Sequence, residues 1–277
     1  MRKSEKGPPG FRCVSVSPVF LLVDPTLEDA ARTLSLTSPG GVDRHFARGG
    51  GARGRGETAL VEVPGSTEML VLRRLLHGGV LGPLLGPVFL GMGRPLRELR
   101  VTAELRRAGA PVPRPALAVG KRIAGPFRAL VVGTYLEPDA VDALSFLESG
   151  PDRPRLLRAA SAVGRAVRRF HDEGGRHSDL HVKNLLIRER GDTTECIVID
   201  LDKARITPGL TPGERMAQIM RLFRSLLKRG VLESVGSRGC ARFFGAYCGK
   251  DRLLRRALWR RVDRELRKVA VHKLGYR

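Results

Sequence analysis

Short apolar runs, several of them alternating with polar residues, dominate the first half of the chain and predict β-strands. Two of these runs are separated by the turn-forming PGSTE and predict a hairpin, and the stretch 47–57, rich in Gly and Arg, lies in front of it. Residues 95–108 repeat apolar side chains every three or four positions, which predicts a helix ended by Gly109 and Pro111. The predicted strands lie in FRCVSVSPVFLLVD, TALVEV, MLVLRR, PVPRPALAV and ALVVGTYL.

The second half has a different period. Residues 156–174, 214–230 and 253–274 each carry an apolar stripe at helical spacing and predict three amphipathic helices. Between the first two lie NLLI and CIVID, whose connection contains Gly191 and Asp192 and predicts a second hairpin. The pattern therefore predicts an α+β protein with a strand-rich first part and a helical second part.

Residues 78–93 (GGVLGPLLGPVFLGMG) are apolar but contain six Gly and two Pro. Because a membrane-spanning helix needs about 20 regular apolar residues, this stretch is not expected to cross a bilayer. It fits an interfacial loop or a buried connection equally well.

The formal net charge is +22, with 50 Lys and Arg against 28 Asp and Glu, and only nine of the cations are Lys. Such an excess favours an anionic partner, and the guanidinium fork suits phosphate and carboxylate oxygens. A codon bias toward Arg could raise its share without any function, although it explains the low acid count less well. Nucleic acid, an anionic membrane and a phosphorylated substrate are all compatible with this charge.

The four cysteines form no CxxC pair and have no histidine cluster at zinc-ligand spacing, which favours a reducing compartment. The start, MRKSEKGPPGF, has basic residues without an apolar segment behind them, so no cleavable signal peptide is expected. These features predict a cytoplasmic protein.

The segment HSDLHVKNLL, 177–186, concentrates chemistry-bearing side chains. His177, Asp179 and His181 alternate and could form a metal site on a strand, but the segment follows a helix end and lacks the flanks of a strand. Asn184 lies five residues beyond Asp179, and the predicted hairpin would bring Asp200 back beside it. Two Asp and one Asn would form an oxygen-rich site suited to Mg²⁺ and to phosphoryl transfer.

These residues resemble the catalytic and metal loops of the protein-kinase-like superfamily, and within it the lipopolysaccharide core kinases, the Kdo and heptose kinase group. The resemblance runs from about residue 49 to 230. It implies a single bilobal kinase-like domain, with an N-terminal lobe over 1–133 and a helical lobe over 134–277. The blocks that agree in order are GRGE, VLRRLLHGG, RELRVTAELRRAGAPVPRP, HSDLHVKN and IVIDLDKA.

Carried over by residue, the resemblance makes Asp179 the catalytic base and Asn184 and Asp200 the metal ligands. It makes Glu98 the helix acid that pairs with the nucleotide-binding cation. That cation is normally Lys, and here the best match is Arg73, although Arg74 is adjacent and points the other way along the strand.

The resemblance also assigns the glycine-rich loop, with Gly54, Arg55 and Gly56, to the nucleotide phosphates. The backbone of residues 134–136 is assigned to the adenine, and its members are Thr134, Tyr135 and Leu136.

Around the catalytic loop, His177 is expected to be structural. His181 could orient Asp179 or the phosphate, or it could simply pack against the loop. Lys183 could neutralise the transferred phosphate, or it could be a solvated cation of the loop. Ser178 stands where protein kinases have the Arg of HRD, and no APE block follows, which predicts an enzyme without a phosphorylation switch.

The function implied is an ATP- and Mg²⁺-dependent kinase that phosphorylates a sugar hydroxyl of the lipopolysaccharide inner core, with Kdo (3-deoxy-D-manno-octulosonic acid) as the first choice. The expected partners are an anionic glycolipid acceptor and the inner face of the cytoplasmic membrane, with no nucleic acid. A heptose kinase and an aminoglycoside-type phosphotransferase are alternatives with the same fold. A non-catalytic basic binder of nucleic acid or membrane is the alternative from another class.

Overall fold

The computed structural model describes residues 7–48, 58–77 and 87–262. The chain divides into two compact units, Met1–Glu104 with Pro113–Glu137, and Leu105–Val112 with Pro138–Arg277. The division thus falls after Glu137, whereas the sequence predicts it after residue 133. The predicted phosphate-binding residues Gly54, Arg55 and Gly56, and residues 78–86, lie outside the described ranges.

The first unit is built on one antiparallel sheet. Its strands are β1 (Arg12–Val16), β2 (Val19–Val23), β3 (Thr58–Glu62), β4 (Met69–Arg74), β5 (Val88–Leu90), β6 (Pro115–Ala124) and β7 (Phe127–Tyr135). They are ordered β1-β2-β6-β7-β4-β3, with β5 also paired to β7. The predicted hairpin around PGSTE is confirmed, since β3 and β4 pair from Thr58–Arg73 to Glu62–Met69.

Both faces of this sheet are covered, because alternate residues of a strand point to opposite sides. On one face Leu130 and Val132 pack in a cluster with Leu96 and Leu99 of the predicted helix, α3 (Gly93–Arg107). Val131, on the other face, belongs to a cluster whose helical members come from residues 27–42. This face is covered by two short helices, α1 (Glu28–Thr33) and α2 (Gly41–Arg48). The sequence pattern does not predict either of them.

The second unit is mainly helical. Its helices are α4 (Ala143–Glu148), α5 (Arg153–Asp172), α6 (Pro212–Lys228) and α7 (Leu232–Cys248), and residues 252–262 are also helical. Its strands are β8 (Ala140–Asp142), β9 (Gly175–His177), β10 (Leu185–Arg190), β11 (Thr193–Val198) and β12 (Ala204–Ile206). They form two small sheets, β11-β10-β8 and β12-β9, so the second predicted hairpin is confirmed as β10–β11.

Capping residues fix where the long helices begin. Asp152 accepts a hydrogen bond from the Arg155 amide and starts α5 three residues before the predicted start. Thr211 and Glu214 form a reciprocal capping box at the start of α6. Within the described ranges, no helix combines the length and the apolarity needed to cross a membrane.

Candidate active site

The predicted catalytic loop is organised around a buried imidazole. His177, 1% exposed, accepts a hydrogen bond at Nδ1 from the Asp179 amide (3.1 Å) and donates from Nε2 to the Ile199 carbonyl (3.2 Å). A ring that accepts at one nitrogen and donates at the other is neutral. Burial lowers the pKa of His177 below its ordinary value, in keeping with this neutral form. His177 therefore joins the catalytic loop to the end of the β10–β11 hairpin.

Asn184 makes the second connection between the same two segments. Its side-chain Nδ2 donates to the Asp179 carbonyl (2.9 Å), and its own carbonyl accepts from the Ile199 amide (2.9 Å). Asp200 follows Ile199 directly, in a left-handed conformation with φ 59° and ψ 62°, which Asp tolerates better than most residues. The backbones that carry Asp179, Asn184 and Asp200 are thus brought together by hydrogen bonds.

The Asp179 carboxylate itself points to solvent, with its side chain 61% exposed. His181 Nε2 lies 3.9 Å from Asp179 Oδ2, a separation too long for a hydrogen bond but short enough for electrostatic attraction when the ring is protonated. Lys183, the last cation of the loop, is half-buried. Asp179 is therefore fixed through its backbone while its carboxylate is accessible to a substrate hydroxyl.

The donor set fits Mg²⁺ better than a transition metal. The amide nitrogen of Asn184 is engaged by the Asp179 carbonyl, so its Oδ1 is the side-chain atom available to a cation. Asp200 would add carboxylate oxygens, and hard oxygen ligands suit Mg²⁺. Both ring nitrogens of His177 are occupied, which argues against the alternative metal site of His177, Asp179 and His181. In the described part of the chain, no three His, Cys, Asp or Glu side chains form a metal-binding group.

Two polar residues of α6 hold the loop from beneath, and sequence reasoning missed both. Gln218, 1% exposed, accepts a hydrogen bond at Oε1 from the His177 amide (2.6 Å), and Ser225 accepts one at Oγ from the Val182 amide (3.0 Å). They are seven residues apart and so lie on one helix face. Polar residues within the apolar stripe of this helix were the available signal.

In the strand-rich unit, the structure pairs Arg73 with Glu98. Arg73 Nη2 lies 2.5 Å from Glu98 Oε1, with the two side chains 26% and 6% exposed. The neighbouring Arg74 turns the opposite way and pairs with Asp43 of α2 at 2.8 Å. Of the two adjacent arginines, Arg73 is therefore the one that meets the helix acid.

The backbone predicted to receive adenine is already engaged at two of its donors. The Tyr135 amide donates to the Arg114 carbonyl (2.9 Å) and the Leu136 amide to the Met69 carbonyl (2.8 Å). Thr134 lies in β7 between Val71 and Pro115. An adenine contact by Tyr135 or Leu136 would therefore use a carbonyl oxygen.

A strand-rich unit with a cation–glutamate pair and a helical unit with this loop define the class, a protein-kinase-like enzyme. The solved structure titled "WaaP in complex with acyl carrier protein" matches with a TM-score of 0.59 at 21% identity, over 93% of this chain and 97% of that one. This likeness shows the fold. The kinase-like fold expected from the sequence is confirmed.

A family model described as "Lipopolysaccharide kinase (Kdo/WaaP) family" matches residues 52–247, and the chain belongs to that family. It is 30% identical over 190 residues to the 3-deoxy-D-manno-octulosonic acid kinase of Vibrio cholerae, which covers 66% of this chain and 76% of the relative. It is 32% identical over 179 residues to the enzyme of the same name from Xylella fastidiosa, with 63% and 68% covered. The chain is thus a phosphotransferase of lipopolysaccharide synthesis, as the sequence resemblance implies.

Proposed function

We propose that this chain transfers the γ-phosphoryl group of ATP to a hydroxyl of Kdo in the inner core of lipopolysaccharide. The observation that carries the proposal is the hydrogen-bonded junction of Asn184 with Asp179 and Ile199. It links the backbone segments that carry Asp179, Asn184 and Asp200, and phosphoryl transfer uses oxygen-bearing side chains of this kind. The relatives in Vibrio cholerae and Xylella fastidiosa support Kdo as the acceptor.

In this proposal Asp179 accepts the proton of the sugar hydroxyl. The hydroxyl oxygen forms a bond to the γ-phosphorus, the bond from that phosphorus to the bridging oxygen breaks, and ADP leaves. The Asp179 backbone is held at both its amide and its carbonyl, so the carboxylate is presented without a large loss of entropy. Beside it, His181 orients the carboxylate and Lys183 offers positive charge to the transferred group.

The nucleotide would be bound by residues of the strand-rich unit. Arg73 keeps its positive charge at every working pH, and its fork can serve Glu98 and the α- or β-phosphate together. Gly54, Arg55 and Gly56 are proposed to approach the phosphates, and residues 134–136 to face the adenine. Asn184 and Asp200 would hold Mg²⁺, which when bound neutralises charge on the phosphate oxygens.

The test uses purified protein, radiolabelled ATP and lipid A carrying Kdo. We expect labelled product, and Asp179→Asn should lower kcat by about 10²–10⁴-fold because general-base catalysis is removed. The variant keeps both backbone bonds of residue 179, so it should fold normally. Asp29→Asn, at an exposed position of α1, is the matched control and should be fully active.

Two results would overturn the proposal. Absence of transfer to Kdo-bearing lipid A, with transfer to a heptose-bearing core or to an aminoglycoside, would reassign the acceptor. Unchanged transfer in Asp179→Asn would remove the proposed mechanism.

We also propose that the protein works as a peripheral protein on the inner face of the cytoplasmic membrane. The net charge of +22 supports this, since each basic residue near an anionic surface contributes about 1 kcal/mol. Cosedimentation with phosphatidylglycerol vesicles should be strong at low salt and weak at high salt. Protein that stays in the supernatant at low salt would contradict it.

A further inference from the structure

An arginine-lined groove lies in the helical unit, between α5, α7 and the turn of the β10–β11 hairpin. It consists of two adjoining cavities of about 640 and 620 Å³, which share Leu157, Ser161, Arg165 and Arg242. Each cavity is within the size range of small-molecule sites. We call it the arginine groove, and its five arginines are Arg153, Arg158, Arg165, Arg238 and Arg242.

Small residues let the two helices approach closely beside the groove. At Gly164 of α5 an added Cβ would lie 2.4 Å from the Phe243 carbonyl oxygen and 3.0 Å from Ala246 Cβ of α7. Such an approach leaves no room for side chains at the crossing. Gly245 and Ala246 of α7 line the smaller cavity directly beside this approach, together with longer side chains from both helices.

The charge in the groove is only partly balanced, because Glu189 interacts electrostatically with Arg158. Of the described residues, five arginines line it against one acid, Asp192. Within the described ranges none of the five forms an ion pair. The nearby Glu189 is engaged by Arg155, through hydrogen bonds of 3.1 and 2.7 Å. An excess of positive charge along one groove favours the binding of an anion.

Two buried polar atoms also lack a partner at this place. Thr194 is 8% exposed. Among the residues that the structure describes, neither Thr194 Oγ1 nor the buried Nε of Arg158 has a hydrogen-bond partner. Both residues line the larger cavity. A buried hydroxyl or guanidinium N–H without a partner is unfavourable, and an oxygen-bearing ligand would satisfy both.

The geometry points to a second, phosphate-binding site in the arginine groove, which takes a phosphomonoester or diphosphate group. Guanidinium forks match phosphate oxygens in pairs, and Thr194 Oγ1 adds a neutral donor. The site is separate from the proposed catalytic loop, because the hairpin runs from Leu185 at the loop to Arg190 at the turn, about 17 Å away. The group could belong to a lipid headgroup or to a free molecule, and both are the same chemistry.

The test compares two variants that each lose two positive charges. Arg158→Ala with Arg242→Ala removes two arginines of the groove, and Arg122→Ala with Arg221→Ala removes two exposed arginines elsewhere. Inorganic pyrophosphate is titrated calorimetrically. Cosedimentation is measured with phosphatidylcholine vesicles that contain either phosphatidic acid, whose headgroup is a phosphomonoester, or phosphatidylserine, which is anionic but has no phosphomonoester. Binding at other places affects both variants equally.

We expect the groove variant to lose about tenfold or more in affinity, and the control less than about twofold. Loss for pyrophosphate assigns a free phosphate ligand, and loss confined to phosphatidic acid vesicles assigns a lipid headgroup. Equal behaviour of the two variants with both probes would overturn the proposal.

A third variant tests the site without changing its charge. Thr194→Val keeps the shape of the side chain and removes the buried hydroxyl, so it should weaken binding by about tenfold. Its unfolding midpoint without ligand should equal or exceed that of the parent, because an unsatisfied polar atom is gone. Unchanged binding in this variant would contradict the role of Thr194. Unchanged binding in both this variant and the double groove variant would contradict the site itself.

Discussion

The hydrogen bond from the His177 amide to Gln218 makes a sharp prediction about the proposed catalytic loop. Gln218→Met keeps the length of the side chain but removes the amide oxygen that accepts this bond at 2.6 Å. His177 and Gln218 are both 1% exposed, so water cannot replace the lost acceptor. A buried amide without a partner costs about 1–3 kcal/mol, and we expect the free energy of unfolding to fall by that amount.

The same change should affect catalysis more than nucleotide binding. His177 also bonds the Asp179 amide and the Ile199 carbonyl, so a shift of its backbone moves the proposed base. A misplacement of about 1 Å can cost about 10²-fold, and we expect kcat to fall by about 10–100-fold. The KM for ATP should change little, since Arg73 and Glu98 are untouched.

The assays are urea denaturation and steady-state transfer to Kdo-bearing lipid A. Ala217→Met is the matched control, because it adds the same side chain at the neighbouring, exposed position of α6 and should change stability by less than about 0.5 kcal/mol. If Gln218→Met matched this control in both stability and kcat, the buried bond would not position the loop.

Three further predictions follow from the geometry. Arg73→Lys keeps the charge but loses the fork, so calorimetry should show about tenfold weaker ATP binding, and equal affinity would mean that charge alone suffices. Urea denaturation should show that Gly164→Ala destabilises the protein by about 1–2 kcal/mol, because the new Cβ would meet the Phe243 carbonyl. Gly245→Ala, at a position of α7 where a Cβ would meet no other atom, should stabilise it by up to about 1 kcal/mol. Burial lowers the pKa of His171 from 6.5 to about 3, so the unfolded chain binds the extra proton first as pH falls. His171 alone should therefore lower the free energy of unfolding by about 2 kcal/mol between pH 7 and 5, and a flat profile would contradict this.

The elements that the sequence predicts are those whose pattern is set by a single sheet face or helix stripe. The hairpins β3–β4 and β10–β11 and the helices α5 and α6 belong to this group. Helix α7 does not. It contains Gly236, Gly239 and Gly245 and is stabilised by its close crossing with α5, which no local pattern reveals.

The same limit applies to the candidate site. Asp179, Asn184 and Asp200 could be named because a loop and a hairpin bring them together through short-range connectivity. The choice between Arg73 and Arg74 depended on partners far along the chain, Glu98 for one and Asp43 for the other. Asp43 lies in α2, a helix that the pattern did not predict, so the sequence could not exclude Arg74.

Ser178 shows how the proposed catalytic loop can be ordered without a phosphate. The resemblance places it where protein kinases have an Arg, a residue that needs an anionic partner to hold the segment after the metal loop. Here the Ser178 hydroxyl donates directly to the Lys203 carbonyl (3.1 Å), and strands β9 and β12 pair alongside through His177 and Ala204. These bonds are neutral and lie within the chain, so they form whenever the unit folds. The loop can therefore be ordered by folding alone, and we expect the transfer rate to be the same for protein produced with and without a co-expressed protein kinase.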